Sequence, residues 1–176
     1  MPRRSKRRIL AGLILSLLSP LIQGGTNLTL NREARLLAAH NRERTAAGLP
    51  PLLWSEELAA HSKEWAEHLR SLGDIKHSPT DPSDPDPEGE NLWAGTRGYY
   101  SPEAMVGLWV SEKKHFEPGV FPNNSKTGRL DDVAHYTQVM WRSSTQVGCA
   151  VAATKKEEFL VCRYSEGGNV IGERPF

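Results

Sequence analysis

The sequence predicts a domain of the α+β class, because it combines four segments typical of helices with three typical of strands. Two of the strand segments, 146–153 and 158–164, flank the polar pair Lys155-Lys156 and indicate an antiparallel hairpin. The 176 residues are enough for one domain with a sizeable core but not for two. The formal net charge of +1 gives no general attraction to nucleic acid, so no nucleic-acid partner is expected.

Residues 1–26 are interpreted as a secretory signal peptide. Five basic residues precede the apolar run Ile9–Leu18, which is shorter than the roughly 20 residues of a membrane span. We therefore expect a mature domain over 27–176 that is secreted or periplasmic. An uncleaved N-terminal anchor is the alternative, and in that case membrane contact is confined to this segment.

The first two helices carry local start and stop signals. Asn31 is a candidate cap for a helix that runs to about Ala47, where Gly48 and two prolines prevent continuation. Ser55 caps the second helix, and Gly73 ends it. Three histidines on these helices are interpreted as core or boundary residues: His40, His61 and His68.

A loop and a short strand follow. Residues 76–88 contain four prolines among acidic residues, which excludes a helix or a central strand. The spacing does not match an EF-hand, so we interpret the segment as a solvated crossover that begins near His77. Residues 92–94 then resemble a strand, with Glu90 and Asn91 at its start.

The third helix is predicted from Ser101 to about His115, and it carries an unusual carboxylate. Glu112 continues the apolar stripe of this helix, whose other members are Met105, Leu108 and Trp109. A carboxylate on a buried stripe is costly unless it is paired. Glu112 is therefore expected to have a partner inside the domain, or else to reach the edge and meet Lys113 or Lys76.

A short fourth helix is predicted from about Val133 to Ser143. Asp131 and Asp132 stand where acidic side chains can cap its first N–H groups. His135 then shares a face with Val139. A lone histidine in this position is commonly a core residue, so a functional interpretation depends on residues elsewhere.

The hairpin brings the two cysteines of the chain together. A turn around Lys155-Lys156 sets Thr154 opposite Glu157 and therefore Cys149 opposite Cys162, in a pair where side chains approach closely. A disulfide is geometrically reasonable there, and export would permit it. Two buried free thiols are the alternative.

Several ordered motifs resemble those of the CAP superfamily, which includes cysteine-rich secretory, antigen five and pathogenesis-related proteins. The motifs, quoted from this chain, are His135–Trp141 with Val147–Ala150, Gly89–Leu92, Trp109–Glu112, Cys162–Tyr164 with Gly168–Gly172, and His40-Asn41 with Leu52–Trp54. The resemblance spans about residues 32–176. With only one pair of cysteines, the chain resembles the lean single-domain bacterial members in particular.

The resemblance implies a fold and a site. The fold is a three-layer α-β-α sandwich with a central, mainly antiparallel sheet. The site is a cleft that binds divalent metal in family members, and motif matching assigns to it His77, Glu90, Glu112 and His135. Two imidazoles and two carboxylates suit Zn²⁺ or a similar ion better than Mg²⁺ or Ca²⁺. The alternative is a metal-free ion cluster of two protonated histidines and two carboxylates.

Three functional hypotheses follow, and none of them favours catalysis strongly enough to assign a catalytic residue. The first is an exported binding protein that takes a lipid or sterol at an apolar groove, as several family members do. The second is a metal-dependent extracellular hydrolase or protease with Glu112 or Glu90 as general base. The third is a cell-surface module that binds an extracellular protein through loops 79–88 and 123–129.

Overall fold

The computed structural model describes the backbone of residues 24–81 and 83–176, and the side chains from residue 32 onward apart from residue 82. The predicted signal peptide lies almost wholly outside the described residues. Within the described ranges, no helix combines the length and the apolar content that crossing a bilayer requires.

Eight main elements follow one another along the chain. They are α1 (Gly24–Ala46), β1 (Leu53–Trp54), α2 (Glu56–Leu72), β2 (Gly89–Thr96), α3 (Pro102–Val110), α4 (Ala134–Val139), β3 (Gln146–Ala153) and β4 (Glu157–Ser165). Two 3₁₀ turns, Ser111–Lys114 and Leu130–Asp132, follow α3 and precede α4. The described elements therefore mix helices and strands, as the sequence predicts.

The four strands form one sheet in the order β1-β3-β4-β2. The pairs β3–β4 and β2–β4 are antiparallel, whereas the two-residue β1 runs parallel to β3. Alternate residues of β4 pack on opposite faces: Leu160 joins the cluster with α1, α3 and α4, whereas Phe159 and Val161 join the cluster with α2. Helices cover both faces of the sheet, and the α-β-α sandwich is confirmed.

The ends of α2 lie where the sequence places them. The Ser55 hydroxyl accepts a hydrogen bond from the Leu58 N–H at 3.2 Å, which satisfies one free donor of the first turn. At the other end Gly73 adopts a φ of 71° and donates its N–H to the Leu69 carbonyl. Both signals are local, and this explains why they can be read from the sequence.

The predicted disulfide is confirmed. In the hairpin register Cys149 lies opposite Cys162, with 4.1 Å between the Cα atoms, and the two sulfurs are bonded. Cys162 is fully buried, and Cys149 nearly so. The bridge therefore ties the two central strands together from within the core that they share with α1, α3 and α4.

Four predicted boundaries differ from the structure. Helix α1 begins at Gly24 rather than after Asn31, and β2 begins at Gly89, so Glu90 and Asn91 lie inside the strand. Helix α3 ends at Val110, where the Ser111 hydroxyl donates to the Leu108 carbonyl, and Glu112 sits on the 3₁₀ turn that follows. Helix α4 has only six residues, which makes it too short to be stable by itself.

Arg44 of α1 satisfies the carbonyl groups where α4 ends. Its guanidinium is fully buried and donates to the carbonyls of Pro50, Val139, Trp141 and Ser144 at 2.8 to 3.0 Å. Burial lowers the pKa of Arg44 to about 10, so the side chain remains charged at neutral pH. Val139 is the last residue of α4, so this cation also complements the negative end of the helix dipole.

His40 is a core residue, as interpreted from the sequence. Its Nδ1 lies 2.8 Å from the Leu36 carbonyl, which can only accept, so Nδ1 carries the proton and Nε2 accepts from the Tyr164 hydroxyl at 2.8 Å. The Tyr164 oxygen accepts in turn from the Asn91 amide at 3.3 Å. Full burial lowers the pKa of His40 to about 4.

This lowered pKa predicts a loss of stability in mild acid. Below the ordinary pKa of 6.5 the unfolded chain protonates His40 and the folded chain does not, so stability falls until the pH reaches about 4. We expect a loss from this residue of about 3 kcal/mol over that interval. Urea unfolding across the interval should show it, and His40→Gln should reduce the slope by about one proton. Equal slopes in both proteins would contradict the assignment.

Candidate functional site

Two of the predicted histidines share one cleft. A cavity of about 270 Å³ opens beside the start of β2 and is lined by His77, Glu90, Asn91, Asp131, Ala134, His135 and Asn169. His77 comes from the loop after α2, Glu90 from β2 and His135 from α4. The fourth predicted residue, Glu112, is not part of this lining but lies directly behind His135.

His77 and Glu90 form the first pair. The Nδ1 of His77 lies 2.8 Å from Oε1 of Glu90, and the same oxygen accepts the Ser78 N–H at 3.0 Å. The Glu90 side chain is only 8% exposed, whereas the His77 side chain is 67% exposed. The carboxylate is therefore fixed within the domain, and the imidazole that it holds projects toward solvent.

His135 and Glu112 form the second pair, which again joins a histidine Nδ1 to a glutamate Oε1. The Nδ1 of His135 lies 2.6 Å from Oε1 of Glu112. The other carboxylate oxygen accepts the main-chain N–H groups of His135 and Tyr136, both at 3.0 Å. Both oxygens of Glu112 are thus engaged, which confirms the expectation of a partner inside the domain and favours a supporting role over that of a free base.

The predicted caps of α4 are wrong. Asp131 and Asp132 make no capping hydrogen bond to this helix, and Glu112 accepts its first N–H groups instead. Asp132 accepts the Thr127 hydroxyl, and Asp131 lines the cleft. A carboxylate distant in sequence therefore replaces the local ones, because the two aspartates belong to the separate 3₁₀ turn of residues 130–132 and the residue at the N-cap of α4 is Val133, which has no polar side chain.

The first pair has perturbed acid–base properties. Burial raises the pKa of Glu90, but hydrogen bonds from His77 and Ser78 and the charge of Arg163 outweigh it and lower that pKa below 4.5. The hydrogen bond to Glu90 raises the pKa of His77 above 6.5, against the opposing effect of burial. The charged pair is thus fully favourable between about pH 4.5 and pH 6.5, and it is lost as the pH rises through the His77 pKa or falls through the Glu90 pKa.

Four residues of the cleft lining were not identified as site residues from the sequence: Asn91, Asp131, Ala134 and Asn169. Asn91 donates to the His135 carbonyl at 3.1 Å and to Tyr164, so it connects the cleft with the buried His40. Asn169 of the C-terminal segment bonds to the Ala134 carbonyl and to the Thr137 hydroxyl, and it holds α4 from the other side. Asn169 adopts a φ of 59°, a conformation that asparagine tolerates better than most residues.

The remaining histidines of α2 lie outside the cleft lining. His61 pairs through Nδ1 with Glu88 at 2.6 Å, and His68 stacks on Trp65 with 4.5 Å between ring centroids. Among the described residues, no three histidine, cysteine, aspartate or glutamate side chains lie close enough together to form a metal cluster. The four-residue ligand set stays a prediction, and the cleft presents two separate imidazoles.

A mixed sheet covered by helices on both faces, with two histidine–glutamate pairs beside β2, is the arrangement that the sequence motifs lead one to expect of a CAP domain. A model of CAP, the cysteine-rich secretory protein family, matches residues 37–164, and the chain belongs to this family. It is 35% identical over 144 residues to pathogenesis-related protein PR-1 of Medicago truncatula, covering 81% of this chain and 78% of that protein. It is 36% identical over 141 residues to pathogenesis-related protein 1 of Arabidopsis thaliana, covering 80% of each.

Solved structures show the same fold. The crystal structure of NaASP2 with Zn²⁺ matches with a TM-score of 0.63 at 18% identity, covering 81% of this chain and 83% of that one. The family model and the sequence relatives therefore show the family, and the structural match shows the fold that the sequence motifs imply.

Proposed function

We propose that this chain is an exported CAP-domain binding protein whose cleft takes a divalent cation, Zn²⁺ first, through His77 and His135. One observation supports this most: the Nδ1 of each imidazole is hydrogen-bonded to a glutamate carboxylate, and both rings line the same cavity. A histidine whose Nδ1–H is held by a carboxylate presents Nε2 as an electron-pair donor, which is the usual arrangement of metal-binding histidines.

Two imidazoles, each hydrogen-bonded to a carboxylate, form a donor set that suits a divalent ion. Imidazole nitrogens suit Zn²⁺, and two nearby carboxylates balance a divalent charge. Glu90 and Glu112 then orient the rings rather than bind the ion directly. A bound Zn²⁺ would supply a Lewis-acid centre at the cleft. NaASP2, which shares the fold, has a crystal structure with Zn²⁺, and for this reason Zn²⁺ is the first ion to test.

Export and a defence-related role are part of the proposal. The N-terminal segment resembles a secretory signal, and the family is that of secretory proteins. The relatives quoted above are pathogenesis-related proteins of plants. A disulfide between Cys149 and Cys162 is typical of a protein that matures outside the reducing cytosol.

Calorimetric titration of chelator-stripped mature protein with Zn²⁺ near neutral pH tests the cation site. We expect about one site per chain, lost in His77→Ala and in His135→Ala because each removes one imidazole donor. His68→Ala is the matched control, since His68 lies outside the cleft lining, and it should bind as the unchanged protein does. The absence of heat in the unchanged protein would reject the cation site and favour the metal-free ion cluster.

A second candidate function is supported by a larger groove. A cavity of about 540 Å³ between α1, α2 and β3 has an apolar floor that includes Leu36, Ala59 and Val151. Arg32 and Lys63 line it as well, together with three acidic residues: Glu33, Glu56 and Glu67. The apolar floor suits the long apolar chain of an amphiphile, whereas three acidic residues against two basic ones give the lining no net attraction for an acidic head group.

Titration with a fluorescent fatty acid tests the groove. Ala60→Trp should fill the space next to Ala59 and reduce binding at least about tenfold, because the apolar chain then loses its contact area. Leu108→Trp, an exposed position on α3 outside the groove, is the control and should leave binding unchanged. Equal affinity in both variants would exclude the groove as the binding site.

A further inference from the structure

The His77–Glu90 pair continues into a longer array of charges. Arg163 of β4 is the cross-strand neighbour of Glu90, and one guanidinium nitrogen lies 3.2 Å from Glu90 Oε2. The other terminal nitrogen donates to Oε2 of Glu88 at 3.0 Å. The second oxygen of Glu88 is held by His61. The array therefore runs His61, Glu88, Arg163, Glu90, His77.

Arg163 occupies a decisive place in this array because the two oxygens of Glu90 are used differently. Oε1 accepts from His77 and Ser78, whereas Oε2 is buried and accepts no hydrogen bond of good geometry from any described residue. Among the described residues, the cation that lies beside Oε2 is the guanidinium of Arg163. A buried carboxylate oxygen with neither a hydrogen bond nor a nearby cation is costly, so the orientation of the Glu90 carboxylate depends on this arginine.

Arg163 is itself held in place. Its side chain is 16% exposed, and Glu88 fixes one terminal nitrogen while Glu90 attracts the other. On the opposite side its cross-strand neighbour is Gly148, and a Cβ there would collide with the backbone of Leu58 and Ala59. The start of α2 therefore packs directly on β3 beside Arg163, and His61 reaches Glu88 from this same helix.

We propose that Arg163, braced by Glu88, is a positioning residue of the cleft: it keeps Glu90 Oε1 turned toward His77 and thereby fixes the His77 ring with its proton on Nδ1. Arg163 acts through Glu90 and does not line the cavity. The inference rests on the proposed cation site and deepens it, because only this tautomer leaves the lone pair of His77 Nε2 free to bind a metal ion. It concerns the metal-free protein as well, where the tautomer can be observed directly.

The test is nitrogen-15 NMR of the histidine rings in metal-free protein, at a pH where His77 is neutral. We expect the Nδ1–H tautomer of His77 in the unchanged protein and in Arg163→Lys, which keeps a cation next to Glu90. Arg163→Met should give a mixture with the Nε2–H tautomer. Arg70→Met is the matched control, because it removes an exposed arginine that is paired with Glu67 on α2. Near-UV circular dichroism confirms that each variant is folded.

Zn²⁺ affinity gives the second readout. Loss of a residue that orients a metal-binding histidine typically costs about 10- to 100-fold in affinity, and we expect this for Arg163→Met, with at least partial recovery in Arg163→Lys. A folded Arg163→Met protein whose His77 tautomer is unchanged would overturn the inference, whatever its affinity. If the unchanged protein binds no Zn²⁺, the cation site is rejected while the tautomer measurement still decides the role of Arg163.

Discussion

Replacing Arg44 with methionine is expected to lower the free energy of unfolding by about 4 kcal/mol, the largest effect of any single substitution considered. Methionine fills most of the space of the arginine stem but cannot donate a hydrogen bond. The carbonyls of Val139, Trp141 and Ser144 would each lose a charged donor inside the domain. Such groups cost free energy because folding has removed them from water.

Urea unfolding near neutral pH measures this effect. Arg42→Met is the matched control: Arg42 is exposed on the same helix, so its loss should change stability by less than about 0.5 kcal/mol. Arg44→Lys should fall between the two, because an ammonium keeps the charge but cannot reach all the acceptors at once. A loss below about 1 kcal/mol in Arg44→Met would show that water replaces the guanidinium.

Replacing Glu112 with glutamine is expected to weaken Zn²⁺ binding about 100-fold at the proposed cation site. Two main-chain N–H groups converge on the position of Oε2, so the single amide oxygen should settle there. The amide NH₂ then faces Nδ1 of His135 and can only donate to it. The ring proton moves to Nε2, which can no longer bind a cation.

Calorimetry and nitrogen-15 NMR together test this effect. The glutamine keeps the helix contacts, so the loss in unfolding free energy should be only about 1 to 2 kcal/mol. Glu103→Gln is the control, since Glu103 pairs with Arg35 on the surface and should leave Zn²⁺ affinity unchanged. If His135 kept its proton on Nδ1 and the affinity did not change, Glu112 would have no part in orienting the ring.

Features that are encoded locally could be read from the sequence. Ser55 and Gly73 set the limits of α2 through hydrogen bonds to residues three and four positions away. The polar tip of the hairpin sets its register and hence the pairing of Cys149 with Cys162. The position of Glu112 on an apolar stripe indicated that it needed a partner. Each of these arguments depends only on neighbouring residues.

Features that depend on distant partners could not be read in this way. Arg44 and Arg163 look like ordinary surface charges in the sequence, because their acceptors lie on other elements. The aspartates before α4 carry a correct capping pattern, and yet Glu112 from another element takes the N–H groups. Asn91 and Asn169 join the cleft only after β2 and the C-terminal segment have come together around α4.

The contacts of Arg44 also bear on the order in which the chain folds. His77 and Glu90 are only 13 residues apart, but β2, which carries Glu90, pairs with β4 far along the chain, so this half of the cleft also depends on a long-range contact. The half that carries His135 rests on a six-residue helix whose end is held from 95 to 100 residues away. Contacts of such long range form slowly, because much of the chain must be ordered first. During refolding, therefore, both histidines should reach their final positions late, after the sheet has formed and Arg44 has bound the end of α4.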